Sequence, residues 1–350
     1  MKIPITIILL ILVLPLSAQE LTHEDRLSII TSTKSNFRSI KDLKKSKDHI
    51  YVSGYSDKAI FFDSFNHLSD SLYGFFVKYD ENLERIWHLY IKNGVIEEIY
   101  HFDEQENIYA LVSYNNQFVT QNYRSNKKEE YEKSIAAIVI DKNGQITDFR
   151  DIIHSEYKLY LVKGTRLTHE QDLIVAGQFS SNMTLLDGTS IKNNSTYDSF
   201  ILKISRKAAV DWIKIIKSNN TTILSEMAST KTCGDENFFL LGHFSRDALE
   251  YEQLPVIDSE HPYFNSFVLS IDSEGELLHA MKIPSIYNKR LVTDGKSIVI
   301  GGHFLDSIKI NNKYLHPNGG SDIILMKIDI LTKEITYNHL GLEADESIKH

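Results

Sequence analysis

Short apolar segments recur along the chain with the same length and in the same order. Five of them end in glycine or valine: Ile50–Gly54, Ile108–Val112, Leu173–Gly177, Phe238–Gly242 and Ile298–Gly302. Their last positions are 58 to 65 residues apart. In four copies an aromatic residue follows two positions later: Tyr114, Phe179, Phe244 and Phe304. Self-similarity at a fixed period predicts a repeat architecture.

A second segment follows each first one and shows the alternation of a half-buried strand. Its copies are Phe75–Asp80, Ala136–Asp141, Phe200–Ser205, Phe267–Asp272 and Ile324–Asp329. Lys78, Lys203 and Lys327 occupy the same position, so the phase of the strand is preserved between copies. A turn follows each copy, and Gly144 and Gly275 supply residues suited to the positive φ of a tight hairpin.

Two further strands complete each unit. Trp87 and Trp212 lie seven residues beyond the end of their second segments, and His279 takes that position in the fourth copy. The stretches 96–103, 157–167 and 223–230 are long enough for one more strand each. Four-stranded units of fixed period without helices are typical of a β-propeller, because radial stacking buries both apolar faces of each sheet. The sequence therefore predicts an all-β fold, a β-propeller of five blades with four antiparallel strands each.

These motifs resemble a known bacterial family. The pattern I-x-V-x-G-x-F, D-x-F-I-L-K-I-D and G-x-x-x-W is similar to the β-propeller repeat called SBBP, over about residues 37–340. The third and fifth copies match best, through Gly177–Phe179 with Asp198–Ile204 and Gly302–Phe304 with Asp322–Ile328. The second copy departs most, with Val112 in place of glycine and no tryptophan. The resemblance implies an exported or cell-surface propeller and no particular reaction.

The first twenty residues have the pattern of a secretory signal peptide. Lys2 precedes an apolar stretch over 3–16, and Ser17 and Ala18 supply a small-residue cleavage site. The apolar stretch is shorter than the ~20 residues that cross a bilayer, so we expect no transmembrane anchor. The expected organisation is a signal peptide over 1–18, a polar leader over 19–36 and one propeller domain over 37–350. The protein is expected to be secreted, periplasmic or on the cell surface.

Composition narrows the class further. The chain has 350 residues, of which 42% are hydrophobic and 24% charged, and this excludes a disordered protein. Its net charge of −9, without a block of Lys or Arg, argues against a nucleic-acid partner. Cys233 is the single cysteine, so no internal disulfide can form, and we interpret it as a structural thiol. We expect a monomer without a cofactor.

One repeated position offers oxygen donors. It lies seven residues before the end of the second segment and is occupied by Tyr73, Ser134, Asp198, Asn265 and Asp322. Asp198, Asn265 and Asp322 are candidate ligand-binding residues, for a cation or for sugar hydroxyls. The alternative, which the sequence favours, is that each side chain caps its own turn or starts its own strand.

Other candidate motifs have structural interpretations. The turns at Asp80, Asp141 and Asp272 resemble the start of a calcium loop, but isoleucine stands at position twelve of the loops that begin at Asp141 and Asp272, where a glutamate is needed, so we predict hairpins and no metal site. Repeat histidines His243 and His303 are interpreted as semi-exposed strand positions. The glycines and aromatic residues of the repeat are expected to serve packing rather than sugar binding: Gly54, Gly177, Gly242, Gly302, Phe179, Phe244, Phe304, Trp87 and Trp212.

Two function classes remain. No nucleophile elbow, P-loop, dinucleotide-binding or zinc-protease motif occurs, which favours a module that binds a protein or glycan partner through its long loops. The alternative is a glycan-active propeller enzyme with carboxylates near the axis. The innermost strands would supply them, and the candidates there are Asp42, Glu97, Glu98 and Glu226.

Overall fold

The computed structural model is all-β over the residues that it describes. These are residues 38–56, 73–126, 133–161, 166–168, 172–193, 195–205, 209–230, 236–245, 248–252, 254–258 and 264–341. The predicted signal peptide, the polar leader and Cys233 lie outside the described residues. Within them, no helix is long and apolar enough to cross a membrane. The chain divides into two compact units, one of residues 1–128 and 136–149 and the other of residues 129–135 and 150–350.

The first unit contains repeat 1 and the first part of repeat 2. Its strands are hydrogen-bonded in chain order: β1 (Arg38–Ser46), β2 (His49–Ser56), β3 (Tyr73–Tyr79), β4 (Arg85–Phe102) and β5 (Ile108–Val119). Strand β4 serves two repeats, because its first half pairs with β3 and its second half pairs with β5. Asn93, at the junction of the halves, has a φ of 62°. Strands β6 (Lys133–Ile140) and β7 (Ile146–Ser155) complete repeat 2 and are divided between the two units.

The second unit contains repeats 3 to 5. Its own strands are β8 (Leu159–Leu161), β9 (Arg166–Leu167), β10 (Leu173–Phe179), β11 (Met183–Leu185), β12 (Ser190–Ile191), β13 (Asp198–Ile204), β14 (Val210–Lys217), β15 (Thr221–Ser229), β16 (Phe238–Ser245), β17 (Leu249–Tyr251), β18 (Leu254–Ile257), β19 (Asn265–Ile271), β20 (Leu277–Ile283), β21 (Tyr287–Thr293), β22 (Ser297–Phe304), β23 (Ile308–Ile310), β24 (Lys313–Leu315), β25 (Asp322–Asp329) and β26 (Ile335–Leu340).

Each of these three repeats is an antiparallel sheet in chain order. Repeat 3 uses β8 and β9 together as its first strand, followed by β10, β13 and β14. Repeat 4 consists of β15, β16, β19 and β20, and repeat 5 of β21, β22, β25 and β26. The prediction of an all-β chain is confirmed. No sheet among the described strands closes on itself, and the number of blades stays a prediction.

Three short hairpins are inserted between the second and third strands of repeats 3, 4 and 5. They are β11–β12, β17–β18 and β23–β24. The first two do not extend the sheet of their own repeat. Met183 of β11 pairs with Ser155 of β7, and Tyr251 of β17 pairs with Ile216 of β14. An insertion in one repeat therefore extends the last strand of the preceding repeat.

The repeat glycine lies where two neighbouring strands leave no room for a side chain. Gly242 pairs across the sheet with Phe267. A Cβ on Gly242 would come within 2.5 Å of the Phe267 ring and 2.6 Å of the Ile223 carbonyl oxygen. The same pairing joins Gly54 to Phe75 and Gly177 to Phe200. The glycine therefore allows the phenyl ring of the third strand to cover the second strand.

Repeats 2 and 5 have residues of other sizes at the glycine position, the phenylalanine position or both. Repeat 2 has Val112 at the glycine position and Ala136 at the phenylalanine position, and both are fully buried. Repeat 5 pairs Gly302 with Ile324. In repeat 2 a larger residue on the second strand, Val112, is thus combined with a smaller residue on the third, Ala136. The departure of repeat 2 from the glycine pattern therefore conserves the total side-chain volume at this place.

The core lies between consecutive sheets. In the first unit, Tyr51 and Phe76 of repeat 1 share one cluster with Ile108 and Ile138 of repeat 2. Two further clusters join repeat 3 to repeat 4 and repeat 4 to repeat 5. Strands β13 and β19 are buried along their whole length, so their polar residues, among them Asp198, Lys203 and Asn265, are buried as well. Each fully buried valine, leucine, isoleucine or phenylalanine side chain stabilises the fold by roughly 1.5–3 kcal/mol relative to an exposed one.

Replacing Gly302 with alanine is expected to lower the free energy of unfolding by roughly 1–3 kcal/mol, because overpacking forces neighbours to shift. The new Cβ would come within 2.7 Å of the Tyr287 carbonyl oxygen. Gly301 is the matched control, since a Cβ there meets only Leu325 Cδ1, at 3.7 Å. Gly301→Ala should change stability by no more than about 0.5 kcal/mol. Urea unfolding measures the free energy of unfolding of both variants. An equal decrease in the two would contradict the packing argument.

Candidate functional site

The first strand of a repeat carries a β-bulge in repeats 1, 2, 4 and 5. The register shifts lie at Ile40/Asp42, Ile96/Glu98, Leu224/Glu226 and Tyr287/Arg290. A bulge re-aims the side chains next to it. The residue after each bulge is charged: Asp42, Glu98, Glu226 and Arg290. Three of these are carboxylates that the sequence singled out, and the fourth such carboxylate, Glu97, lies inside the bulge of β4.

In the first unit, the bulges of β1 and β4 bind each other. Lys41 Nζ lies 2.8 Å from Glu97 Oε2, and Ser113 Oγ donates a hydrogen bond to Glu97 Oε1. The Ile99 amide donates to Asp42 Oδ2 over 2.7 Å, and the Leu43 amide donates to Oδ1 over 2.9 Å. Both oxygens of both carboxylates are therefore engaged, and one contact of each, Lys41 with Glu97 and the Ile99 amide with Asp42, joins the two neighbouring first strands.

Burial controls the ionisation of Asp42. Desolvation raises the pKa of this carboxyl above its ordinary value, and the charge of Lys44 together with two backbone amides opposes the rise. A raised carboxyl pKa is a property of general acids. Here, however, both oxygens accept amide hydrogens, which is the geometry of a structural carboxylate.

In the second unit, an ion pair joins the equivalent positions of repeats 4 and 5. Arg290 Nη1 lies 3.5 Å from Glu226 Oε2, with the carboxylate mostly buried and the guanidinium exposed. Repeat 5 therefore has a cation where repeats 1, 2 and 4 have carboxylates. The pair connects β15 to β21, as the contacts of Asp42 and Glu97 connect β1 to β4.

The three candidate ligand-binding residues start the third strands and are 0–1% exposed. Asp198 accepts a hydrogen bond from Ser195 Oγ over 2.7 Å. Asp322 Oδ2 accepts one from the Asn318 amide over 3.0 Å and lies 2.7 Å from His339 Nε2. Asn265 pairs across the sheet with Phe244. Asp198 and Asp322 thus bind their own turns, Asp322 also contacts β26, and all three side chains are buried.

A serine, a histidine and an aspartate come together at the same position of repeat 2, which sequence reasoning did not find. Ser134 Oγ lies 2.8 Å from His154 Nδ1, and His154 Nε2 lies 3.9 Å from Asp151 Oδ2. Ser134 is fully buried. A catalytic serine must reach its substrate, so this array holds β6 against β7 instead. The sequence signal was the polar residue at the repeated position.

The tryptophans pack against the turn of the following repeat. The Trp87 ring would lie 3.0 Å from a Cβ on Gly144, and its Nε1 donates a hydrogen bond to the Lys142 carbonyl oxygen over 2.9 Å. The Trp212 ring lies as close to a Cβ on Gly275, at 3.1 Å, but its Nε1 has no hydrogen-bond partner among the described residues. The turn glycine of one repeat therefore accompanies the tryptophan of the preceding one.

The aspartates of these turns satisfy their own backbone. Asp80, Asp141 and Asp272 each accept two backbone amide hydrogens at Oδ1, over 2.7 to 2.9 Å. The oxygens that resembled the start of a calcium loop are thus used inside hairpins. Over the described ranges, no three His, Cys, Asp or Glu side chains are grouped so as to hold a metal ion.

Comparison with known proteins finds only weak structural similarities. No protein-family model and no curated protein matches the sequence. Among solved structures, the chain is similar to the β-propeller domain of the Trilobed protease from Pyrococcus furiosus, with 8% identity, a TM-score of 0.33, and coverage of 88% of this chain and 94% of that one. It is also similar to the acylaminoacyl peptidase of Pyrococcus horikoshii, with 9% identity and a TM-score of 0.29.

The alignment with the peptidase covers 87% of this chain and 51% of that chain, so the present chain spans about half the length of that enzyme. Similarity at this level assigns neither an architecture nor an activity.

Asp42→Asn is expected to change how stability depends on pH. Because burial raises the pKa of Asp42, the folded state binds its proton more tightly than the unfolded state does. This contribution is present at low pH and is lost as pH rises from about 4, the unfolded value, through the folded value. Unfolding free energies of the wild type should therefore decline relative to the variant over that interval. A difference that stays constant with pH would refute the assignment.

Gly275→Ala is expected to destabilise the protein more than Gly188→Ala does. Both glycines have positive φ, 78° and 86°, but a Cβ on Gly188 meets nothing within 4 Å. Gly188→Ala should cost about 1 kcal/mol for backbone conformation alone, and Gly275→Ala about 1–2 kcal/mol more, because its Cβ would meet Lys214 Cε at 3.0 Å and the Trp212 ring at 3.1 Å. The flexible end of Lys214 can move aside, so most of the excess should vanish in a Trp212→Ala background. Thermal unfolding of the four variants decides this.

Proposed function

We propose that the protein is an exported five-bladed β-propeller of the SBBP type that serves as a binding module. The observation that carries the architecture is the contact between first strands of successive repeats. Hydrogen bonds and ion pairs join β1 to β4 through Lys41, Asp42 and Glu97, and join β15 to β21 through Glu226 and Arg290. In a propeller the first strands surround the axis, so neighbouring first strands meet in this way.

The cores between repeats support the same architecture. Each cluster combines one face of a sheet with the facing side of the next, as radial stacking requires. Repetition of one four-stranded unit of about constant length allows the array to grow without enlarging any single core.

The insertion hairpins support a role in binding. Each of them presents at least one large exposed hydrophobic side chain: Leu186 in repeat 3, Leu254 in repeat 4 and Tyr314 in repeat 5. All three insertions connect the second strand to the third, so they leave the sheets of the second unit at the equivalent end. Hydrophobic side chains on loops that a rigid scaffold holds are typical anchors of a protein partner.

Export and the absence of catalysis belong to the same proposal. The signal-peptide pattern of residues 1–18 supports secretion to the periplasm, the cell surface or the medium. Three of the four carboxylates that could serve a glycan-active enzyme at the axis are engaged: Asp42 and Glu97 by amides, a lysine and a serine, and Glu226 by Arg290. These contacts therefore favour a module that binds a protein or a glycan over an enzyme that cleaves a glycan.

The binding role is tested with residues 19–350 and two triple variants. Leu186→Ser, Leu254→Ser and Tyr314→Ser together remove the exposed hydrophobic side chains of the insertions. Leu278→Ser, Leu331→Ser and Leu340→Ser together are the control, because these exposed leucines lie outside the insertions. Retention of proteins from an envelope extract, and binding to a glycan array, are measured for all three proteins.

The proposal expects a retained partner whose affinity falls at least 10-fold, about 1.4 kcal/mol, in the insertion variant and is unchanged in the control. Equal retention by both variants, or none by the wild type on either platform, would refute it. Release of sugar from an array glycan by the wild type would favour the enzyme instead.

A further inference from the structure

Three asparagines of the chain are followed directly by glycine: Asn93, Asn143 and Asn318. In such a pair the backbone nitrogen of the glycine can attack the side-chain amide carbon of the asparagine, because glycine has no Cβ to hinder the approach. A C–N bond to the glycine forms, the amide proton passes to the leaving group through water, and ammonia is released. Water then opens the resulting succinimide ring and leaves aspartate or isoaspartate. The reaction requires that the glycine amide and the asparagine side chain are both free to move.

At Asn143 the hairpin holds the reacting backbone. The Gly144 amide donates a hydrogen bond to the Asp141 carbonyl oxygen over 3.0 Å, and the Asn143 amide donates one to Asp141 Oδ1 over 2.9 Å. Gly144 is buried against the Trp87 ring. The attack would first have to open the hydrogen bond of the Gly144 amide, so the hairpin protects Asn143.

At Asn93 the sheet holds the backbone. Asn93 lies inside strand β4, and Gly94 pairs with Tyr114 of β5. A succinimide at this place would require the strand to separate from its neighbour, which is a local unfolding of the sheet. Asn93 is therefore protected as well.

The third pair lies in the loop between the last insertion hairpin and β25. Asn318, Gly319 and Gly320 are all exposed. Within the described part of the chain, the Gly319 amide donates no hydrogen bond and the side-chain amide of Asn318 has no hydrogen-bond partner. Gly319 has a φ of 104°, and a second glycine follows it, so the backbone here has the conformational freedom of two residues without a Cβ. Neither reacting group is held, and water reaches both.

The Asn318 side chain also lies beside the carboxylate that connects β25 to β26. A Cβ on Gly341 would be 2.5 Å from Asp322 Oδ2 and 2.9 Å from Asn318 Nδ2, so the two atoms flank one point. Asp322 is fully buried, and its Oδ2 lies 2.7 Å from His339 Nε2 and accepts the Asn318 backbone amide over 3.0 Å. A second carboxylate at position 318 would repel this one.

We propose that Asn318 is a site of spontaneous deamidation, and that its conversion loosens the attachment of β26 to β25. Aspartate places a second negative charge beside the buried Asp322. Isoaspartate adds a methylene group to the main chain and displaces the backbone amide that Asp322 accepts. The inference uses none of the exposed side chains on which the proposed binding role rests, so the two proposals fail independently.

The rate is tested on residues 19–350, incubated in the folded state at mildly alkaline pH. Mass spectrometry follows the tryptic peptides 314–327 and 143–150, which contain one asparagine–glycine pair each. Asn318 should convert at least about fivefold faster than Asn143, the factor that corresponds to the roughly 1 kcal/mol of one amide hydrogen bond. In concentrated urea the ratio should fall towards one, because the hairpin no longer protects Asn143. Equal rates in the folded protein, or a ratio that persists in urea, would overturn the proposed site.

The consequence is tested with Asn318→Asp, and Asn318→Gln is the matched uncharged control. Asn318→Asp should lower the melting temperature by at least about 2 °C relative to Asn318→Gln. In an Asp322→Asn background this difference should disappear, because the repulsion requires both carboxylates. If that background does not fold, salt decides the question, since the difference should shrink as salt screens the two charges. Equal melting temperatures of Asn318→Asp and Asn318→Gln would overturn the loosening of β26.

Discussion

In repeats 1, 3 and 4 the glycine of the second strand is confined between a carbonyl oxygen of the first strand and a phenylalanine ring of the third. At Gly242 the two constraints lie 2.6 and 2.5 Å from where a Cβ would be, so any side chain there would push apart two hydrogen-bonded neighbours. The remaining features depend on this close approach. It fixes the register of Phe267 against Gly242, which places Phe244 opposite Asn265 and buries both. A shift by one residue would turn every apolar side chain of β16 to the other face.

The four-stranded sheet is much the same in each repeat, but the contacts between successive repeats differ. Two interfaces use an indole below a glycine turn together with a buried lysine and a glutamate, and the interface between repeats 4 and 5 uses neither. There the apolar cores still join, with Phe239 and Val268 against Ile300 and Met326. Burial of apolar area therefore supplies the general attraction, and the tryptophan and ion-pair contacts add geometry that differs from one interface to another.

Much of the fold follows from the sequence alone, because it depends on local patterns. Period-two alternation gave the third strands, and the spacing of Gly144 and Gly275 gave the hairpins. The inner carboxylates show where such reasoning ends. Asp42 and Glu97 were found as first-strand acids, but the bulges at Ile40/Asp42 and Ile96/Glu98 decide that their oxygens accept amides and a lysine. A bulge adds one residue without changing the hydrophobic pattern appreciably, so a single sequence does not reveal it. The contact of Ser134 with His154 was missed because it depends on the pairing of β6 with β7.

Burial of a strand depends on its neighbours as much as on its own residues. Ile201 and Val268 occupy the same position in repeats 3 and 4 and are 0% and 3% exposed, whereas Leu325 at that position in repeat 5 is 49% exposed. Lys203 is buried beside Glu274, and Lys327 at the equivalent position is exposed. The motif in β25 is almost the same as in β13, so the repeat pattern specifies the strand and its register. The sheet packed on the far side then determines whether the apolar residue at this position is core or surface, and whether the lysine of the motif requires a partner.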